Sequence, residues 1–234
     1  MTGKSVSKPK SVNAGPIDRI QENLLARAER RLLNRLCACM PRWMVPDILT
    51  AIGMFGAFVI FSGYILSNLG DGWLWISIAG YFIHWFGDSM DGSLARYRKI
   101  ERPRYGYFLD HSCDGLSTTL VVVGIGLSRY VQLEVALVAL AGYLLLSIHA
   151  FLLVRVLGEM KLSYAYAGPT ELRVLLIVLT LAMIAAGSQP VLLGILTWFD
   201  LIVGAIGALL IAFFVIQTLK TAKRLAIEEP PRRN

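Results

Sequence analysis

Apolar and polar positions divide the chain into a polar lead, one amphipathic stretch and six long apolar runs. Residues 1–16 carry Lys4, Lys8 and Lys10 among serines and prolines. Such a segment cannot bury enough apolar surface to order itself, and it predicts a disordered basic tail. Over residues 17–40 the pattern changes. Ile17, Ile20, Leu24, Ala28, Leu32 and Leu36 recur at three- and four-residue steps, with Arg19, Arg27, Arg30, Arg31 and Arg35 among them. This predicts an amphipathic helix with a basic face, suited to the headgroup layer of a membrane. The apolar runs follow near 47–69, 72–96, 106–128, 132–156, 171–187 and 196–219. Each is long enough for about 30 Å of hydrocarbon. The expected fold is all-α and integral to the membrane: a six-transmembrane-helix bundle over residues 45–220, preceded by an N-terminal amphipathic interfacial helix.

Composition narrows the function classes. Apolar residues make up 56% of the chain and charged residues 17%, which excludes an ordinary soluble globule. The net charge of +7 raises the question of nucleic acid. The basic residues flank the apolar runs, however, so they are read as topology signals, with the bilayer as partner and no nucleic acid. The connections after Asn68, near Arg129 and around 188–190 are short and nearly uncharged. The opposite side carries the basic lead, the 96–104 connection, the 155–173 segment and the 221–234 tail. That bias predicts both termini and the basic connections in the cytoplasm. No secretory signal pattern precedes the first apolar run. Cys37, Cys39 and Cys113 have neither disulfide nor zinc spacing and are read as free thiols.

The second and third runs carry the chemistry. Asp88 and Asp91 lie three residues apart, and Asp110 and Asp114 four apart. On helices each pair falls on one face, a turn apart. Two antiparallel helices joined by a short connection bring both pairs to one end. Four neighbouring carboxylates repel unless positive charge sits among them. Oxygen-only donors suit hard divalent cations, Mg²⁺ or Mn²⁺, and two such ions would clamp a diphosphate. Gly92 and Ala95 leave room for a ligand near the backbone, Gly106 lies on the same face as Asp110, and Arg96 is placed to pair with phosphate oxygens.

These residues form a longer pattern, Asp88-x2-Asp91-Gly92-x2-Ala95-Arg96 followed by Gly106-x3-Asp110-x3-Asp114. It resembles the signature of the CDP-alcohol phosphotransferases, membrane enzymes with a six-helix core that make phospholipids and release CMP. Pro46, Asp47 and Thr50 resemble that family's Pro-Asn-x-x-Thr start of the first span. There are two departures. Asp47 stands where the family pattern has Asn, and nine residues separate Arg96 from Gly106 where eight are usual. The resemblance implies that Asp88, Asp91 and Asp110 hold metal against the CDP diphosphate, with Asp114 joining the second ion. It implies that Gly92 and Ala95 flank the cytidine, that Arg96 meets the phosphates, and that Thr50 and Gly106 line the nucleotide site. It also implies a CDP-alcohol donor, a lipid or alcohol acceptor, a homodimer, and a place in a bacterial inner membrane with the active site cytoplasmic.

The family proposal makes the last aspartate, here Asp114, the base that activates the acceptor. His111 is a second candidate, because histidine titrates near neutrality. The run Leu109 to Thr118 is similar to the choline and ethanolamine phosphotransferase branch, and so is Pro169-Thr170-Glu171. Glu171 is therefore a candidate to orient His111. Two donor classes remain open: a CDP-amino alcohol with a diacylglycerol-like acceptor, which the His111 run favours, and CDP-diacylglycerol with a small polar alcohol, which the chain length favours. A cation-binding transporter is the alternative from another class. His84 is read as a bundle-packing histidine, and Gly70, Gly80 and Gly142 as points of close helix approach. Glu159, Lys161, Tyr164, Tyr166 and Arg173 are candidates for a headgroup pocket.

Overall fold

A computed structural model describes residues 26–157, 169–192 and 195–230. The basic tail, residues 17–25 of the amphipathic stretch, and Glu159, Lys161, Tyr164 and Tyr166 lie outside the described residues. Helix α1 spans Ala26–Cys39, α2 Pro46–Leu66, α3 Leu74–Arg98, α4 Pro103–Gly126, α5 Leu133–Leu157, α6 Pro169–Ala186 and α7 Trp198–Glu228. Proline opens α2 and α4, where its missing N–H costs no helical bond. The protein is an all-α membrane protein. Helices α5, α6 and α7, and α2 continued to Leu69, are long and apolar enough to cross a bilayer. Helices α3 and α4 match them in length, with 25 and 24 residues, but carry the four aspartates, which lower their mean hydropathy. At 1.5 Å per residue α7 is about 46 Å long, more than the ~30 Å hydrocarbon core, so its Lys220–Arg224 end projects beyond it.

One small element goes beyond the helical expectation. Strands β1 (Pro190–Leu192) and β2 (Leu196–Thr197) pair antiparallel between α6 and α7. Thr197 then caps α7, accepting from the Asp200 amide, while the Asp200 carboxylate accepts from the Thr197 amide. Asp200 also accepts from the Gln132 amide at 2.7 Å, which ties the starts of α5 and α7 together and gives this buried acid its partners.

The tightest packing joins α2 to α3. A methyl group added at Gly56 would lie 2.4 Å from the His84 amide nitrogen, and one at Gly80 would lie 2.7 Å from that of Ile60. Backbones this close exclude side chains, the usual device where no hydrophobic force drives helices together in lipid. Gly80 thus does what its sequence context predicts, and Gly142 does the same against Leu210 and Gly207 of α7. Gly70 sits in a turn with no such contact. Elsewhere in the bundle, the buried Tyr64 hydroxyl bonds to those of Tyr81 and Thr180, linking α2, α3 and α6.

Helix α1 meets the bundle along one stripe. Leu33 and Cys37 are buried with Leu49, Met90 and Leu94, whereas Leu32 is 46% exposed. The stripe facing the protein runs through Glu29, Leu33 and Cys37, one position round from Ala28, Leu32 and Leu36. Leu36 is half-buried against the same cluster, so the contact stripe overlaps the apolar face and leaves Leu32 at its open edge. Burial raises the Cys37 thiol above its ordinary value, with Arg96 and Arg98 pulling it partly back, as suits a packing cysteine. The Arg98 guanidinium closes this corner, donating to the carbonyls of Met40, Pro41 and Met44 at 3.0, 2.8 and 2.6 Å.

Candidate active site

Antiparallel α3 and α4 deliver the acids to a single place. Asp88, Asp110 and Asp114 each offer a carboxylate oxygen, and these atoms all lie within 4.8 Å of one another. Asp91 lines the same cavity, with Thr50, Gly53, Met54, His84, Cys113 and Ser117. Its carboxylate is turned toward α2: Thr50 Oγ1 donates to Oδ2 at 2.6 Å, and the Gly92 amide donates to Oδ1. The resemblance implies metal held by Asp88, Asp91 and Asp110, with Asp114 joining a second ion. All four acids line this one cavity, and the Thr50 bond holds Asp91 toward α2.

Donor set and spacing fit a hard divalent cation. Oxygens around one Mg²⁺ at ~2.1 Å are separated by about 3–4.2 Å, so a trio within 4.8 Å needs only a small inward rotation. The enclosed part of the cavity is small, about 10 Å³, far below the roughly 300–1,000 Å³ of most small-molecule sites. It suits ions at the acidic floor, with any larger ligand lying outward of it. Gly106 is exposed one turn before Asp110 on α4, and among the described residues nothing outside its own helix lies within 4 Å of a methyl group added there.

Arg173, from the first turn of α6, is ion-paired with Asp88. Both side chains are largely shielded, at 11% and 24% exposure. Sequence reasoning placed Arg173 only in a loose headgroup cluster. The signal for more was present: an arginine inside an apolar span needs a partner. Arg96 curls back over Gly92, its Nη1 3.2 Å from where a Cβ would stand, and donates to Ser93 Oγ at 3.2 Å. Ala95 is half-buried on the same helix. His84, read as a packing histidine, borders the cavity one turn before Asp88.

His111 lies on the neighbouring face of α4. Its ring stacks on Tyr107 at 4.2 Å and meets the edge of Phe151 from α5 at 5.3 Å. Its Nδ1 is 2.9 Å from the Tyr107 carbonyl. A carbonyl only accepts, so this contact places the proton on Nδ1 and leaves the Nε2 lone pair for a proton from elsewhere. Glu171 sits in the first turn of α6. It is two residues before Arg173, and positions two apart do not share a helix face.

The two departures from the family pattern meet in space. Asp47 pairs with Arg102, which lies in the connection holding the extra residue, and Tyr105 stacks under that guanidinium at 4.0 Å. Both partners are about half exposed, so the pair orders this rim more than it stabilises the fold.

Comparison with known proteins agrees with this geometry. Over 130 residues the chain is 28% identical to cholinephosphotransferase 1 of Danio rerio, a stretch covering 50% of this chain and 34% of that protein. The chain thus spans about a third of the length of that relative. Residues 43–219 match the CDP-alcohol phosphatidyltransferase family, a span that contains every aspartate of the cavity and both halves of the signature. The chain belongs to the CDP-alcohol phosphatidyltransferase family.

Proposed function

We propose that this protein transfers a phospho-alcohol group from a CDP-alcohol to a hydroxyl acceptor, releasing CMP, in phospholipid synthesis. The observation that carries this reading is the convergence of Asp88, Asp110 and Asp114 within 4.8 Å, with Asp91 on the same cavity. Bound Mg²⁺ or Mn²⁺ would neutralise the diphosphate and stabilise charge on the attacking and leaving oxygens. Asp88, Asp110 and Asp114 would hold those ions, and Asp91, oriented by Thr50, would complete the set. Arg96 would meet the phosphates, and Gly92, Ala95 and Gly106 would leave the nucleotide its space. The favoured donor is a CDP-amino alcohol with a diacylglycerol-like acceptor, supported by the similarity to a cholinephosphotransferase. All six long helices would span the bilayer, with the acids near the cytoplasmic face of an inner membrane. The acids sit on the unbroken helices α3 and α4, whereas transport sites are typically built on broken ones, which speaks against a transport path.

Purified protein with Mn²⁺, CDP-choline or CDP-ethanolamine, and diacylglycerol should release CMP and form the matching phospholipid. Chelation should stop the reaction and added Mn²⁺ should restore it. Product from CDP-diacylglycerol and a small polar alcohol instead would reverse the donor assignment. No CMP from either donor class would remove the transferase reading.

The acceptor proton goes to Asp114 or His111. Asp114 belongs to the metal cluster, so its loss should change metal dependence as well as turnover. His111 borders that cluster, its Nδ1 3.6 Å from Asp110 Oδ2, but supplies no carboxylate to it, and as the base its loss should change turnover far more than metal dependence. His111→Ala is expected to lower kcat about 10²–10⁴-fold, the usual worth of a positioned base, with an unaltered Mn²⁺ requirement. A kcat near wild type in that variant would assign the proton to Asp114.

A further inference from the structure

Helix α6 is thinly held where it meets the site. Of its 18 residues only Thr180 and Met183 are buried, while Leu172, Val174, Leu175 and Val178 are exposed along its outer face. Yet its first turn must place Arg173 against Asp88. The contact beside that turn comes from α1. Thr170 Oγ1 lies 3.0 Å from each Glu29 carboxylate oxygen. The same carboxylate accepts from Trp85 Nε1 at 2.8 Å and from Ser89 Oγ at 3.3 Å.

The geometry makes this a chain of attachment. Trp85 and Ser89 are four residues apart and share a face of α3 adjoining the one that bears Asp88. Glu29 is therefore fixed on α3, beside the site but outside it. Thr170 and Arg173 are three residues apart and share a face of α6. A hydroxyl held by Glu29 at position 170 thus sets the rotation and depth of the turn from which Arg173 extends. Leu33 and Cys37, one and two turns further along the same α1 stripe, are buried against Leu49, Met90 and Leu94, so the helix supplying the carboxylate is itself anchored.

We propose that Glu29 is a positioning residue: through Thr170 it holds the first turn of α6 so that Arg173 reaches Asp88, which makes α1 part of the active-site assembly. This rests on the reading of Asp88 as a metal-binding acid. On that reading Arg173 and a divalent cation compete for one carboxylate, because a guanidinium at Asp88 disfavours a second cation there. Freeing Arg173 should strengthen cation binding to the nucleotide-free protein.

The test is a Mn²⁺ titration of the purified full chain in detergent, followed by electron paramagnetic resonance of the free ion. Arg173→Ala should bind Mn²⁺ at least about fivefold more tightly, the lower end of ordinary coupling between sites. Glu29→Ala and Thr170→Val should shift affinity the same way. Neither should add a further shift when combined with Arg173→Ala. Thr170→Ser, which keeps the hydroxyl, should bind as the wild type does. Thr170→Val changes a hydroxyl to a methyl of equal size, so it keeps the test valid if Glu29→Ala folds poorly. Wild-type affinity in a folded Thr170→Val, additive shifts in the double variants, or no shift in Arg173→Ala would each overturn the proposal. CMP release reports separately on the transferase reading: a wild type that makes no CMP while these couplings hold would sink that reading and leave the positioning role standing.

Discussion

Asp91→Asn should abolish CMP formation, a loss of about 10²–10³-fold or more, while the chain still inserts and melts as the wild type does. The side chain keeps its shape, and the amide oxygen can still accept from Thr50, which lies 2.6 Å from the native carboxylate. What disappears is one negative charge on a cavity lined by four aspartates, together with the side-chain acceptor of the Gly92 amide. If those acids serve only as helix-end polarity, removing one should relieve repulsion and leave the protein unharmed or more stable. If they hold cations against a diphosphate, the same change takes away stabilisation that matters most when charge develops in transfer. Thr50→Val separates orientation from charge. It removes the hydroxyl that turns Asp91 toward α2 and leaves the carboxylate, so it should cost roughly tenfold, near the worth of one charge-assisted hydrogen bond. Activity and melting temperature measured on both variants decide the matter. Near-normal turnover in Asp91→Asn would end the metal-clamp reading.

The four aspartates were legible because membrane depth makes acids rare, and spacings of three and four put them on one helix face. Helices α3 and α4 both pack on α2, and the structure brings all four acids to one cavity. The exact partners were not legible. Whether Asp91 joins Asp88 or leans on α2 depends on a hydroxyl 41 residues away, which no local period encodes. Arg173 and Glu29 were hidden for the same reason. Their partners, Asp88 and Thr170, lie 85 and 141 residues distant, and only the meeting of α1, α3 and α6 pairs them.

Helix α1 shows what a sound pattern leaves undecided. Leu32 and Leu33 are equally apolar, and periodicity cannot tell which one meets protein and which meets lipid. In the structure Leu33 is 8% exposed and Leu32 46%. The choice follows from Glu29, whose bonds to Trp85 and Ser89 fix the rotation of the helix. An apolar stripe in a membrane protein therefore identifies a helix more securely than it identifies the buried side.

The α2–α3 contact yields the other large expected effect. Gly87→Ala should lower both melting temperature and kcat/KM, the latter by about 10²-fold, the cost of misplacing reacting groups by roughly 1 Å. A methyl group there would stand 2.2 Å from the Gly53 nitrogen, 2.5 Å from its Cα and 2.5 Å from the Leu49 carbonyl oxygen. All three are backbone atoms, so no side chain can rotate away and the helices must part. Overpacking of this kind costs about 1–3 kcal/mol in stability. Its effect on the site follows from position: Gly87 directly precedes Asp88, and Gly53 lies one turn after Thr50, which orients Asp91. Parting α2 from α3 pulls Asp91 from its hydroxyl and displaces Asp88 from Asp110 and Asp114 together. Gly106→Ala supplies the contrast. Among the described residues nothing outside its own helix lies within 4 Å of its added methyl group, so its melting temperature should match or slightly exceed the wild type, and any loss of activity would report on ligand space. A Gly87→Ala protein with wild-type stability and turnover would mean that the close approach of these helices does not hold the acids in place.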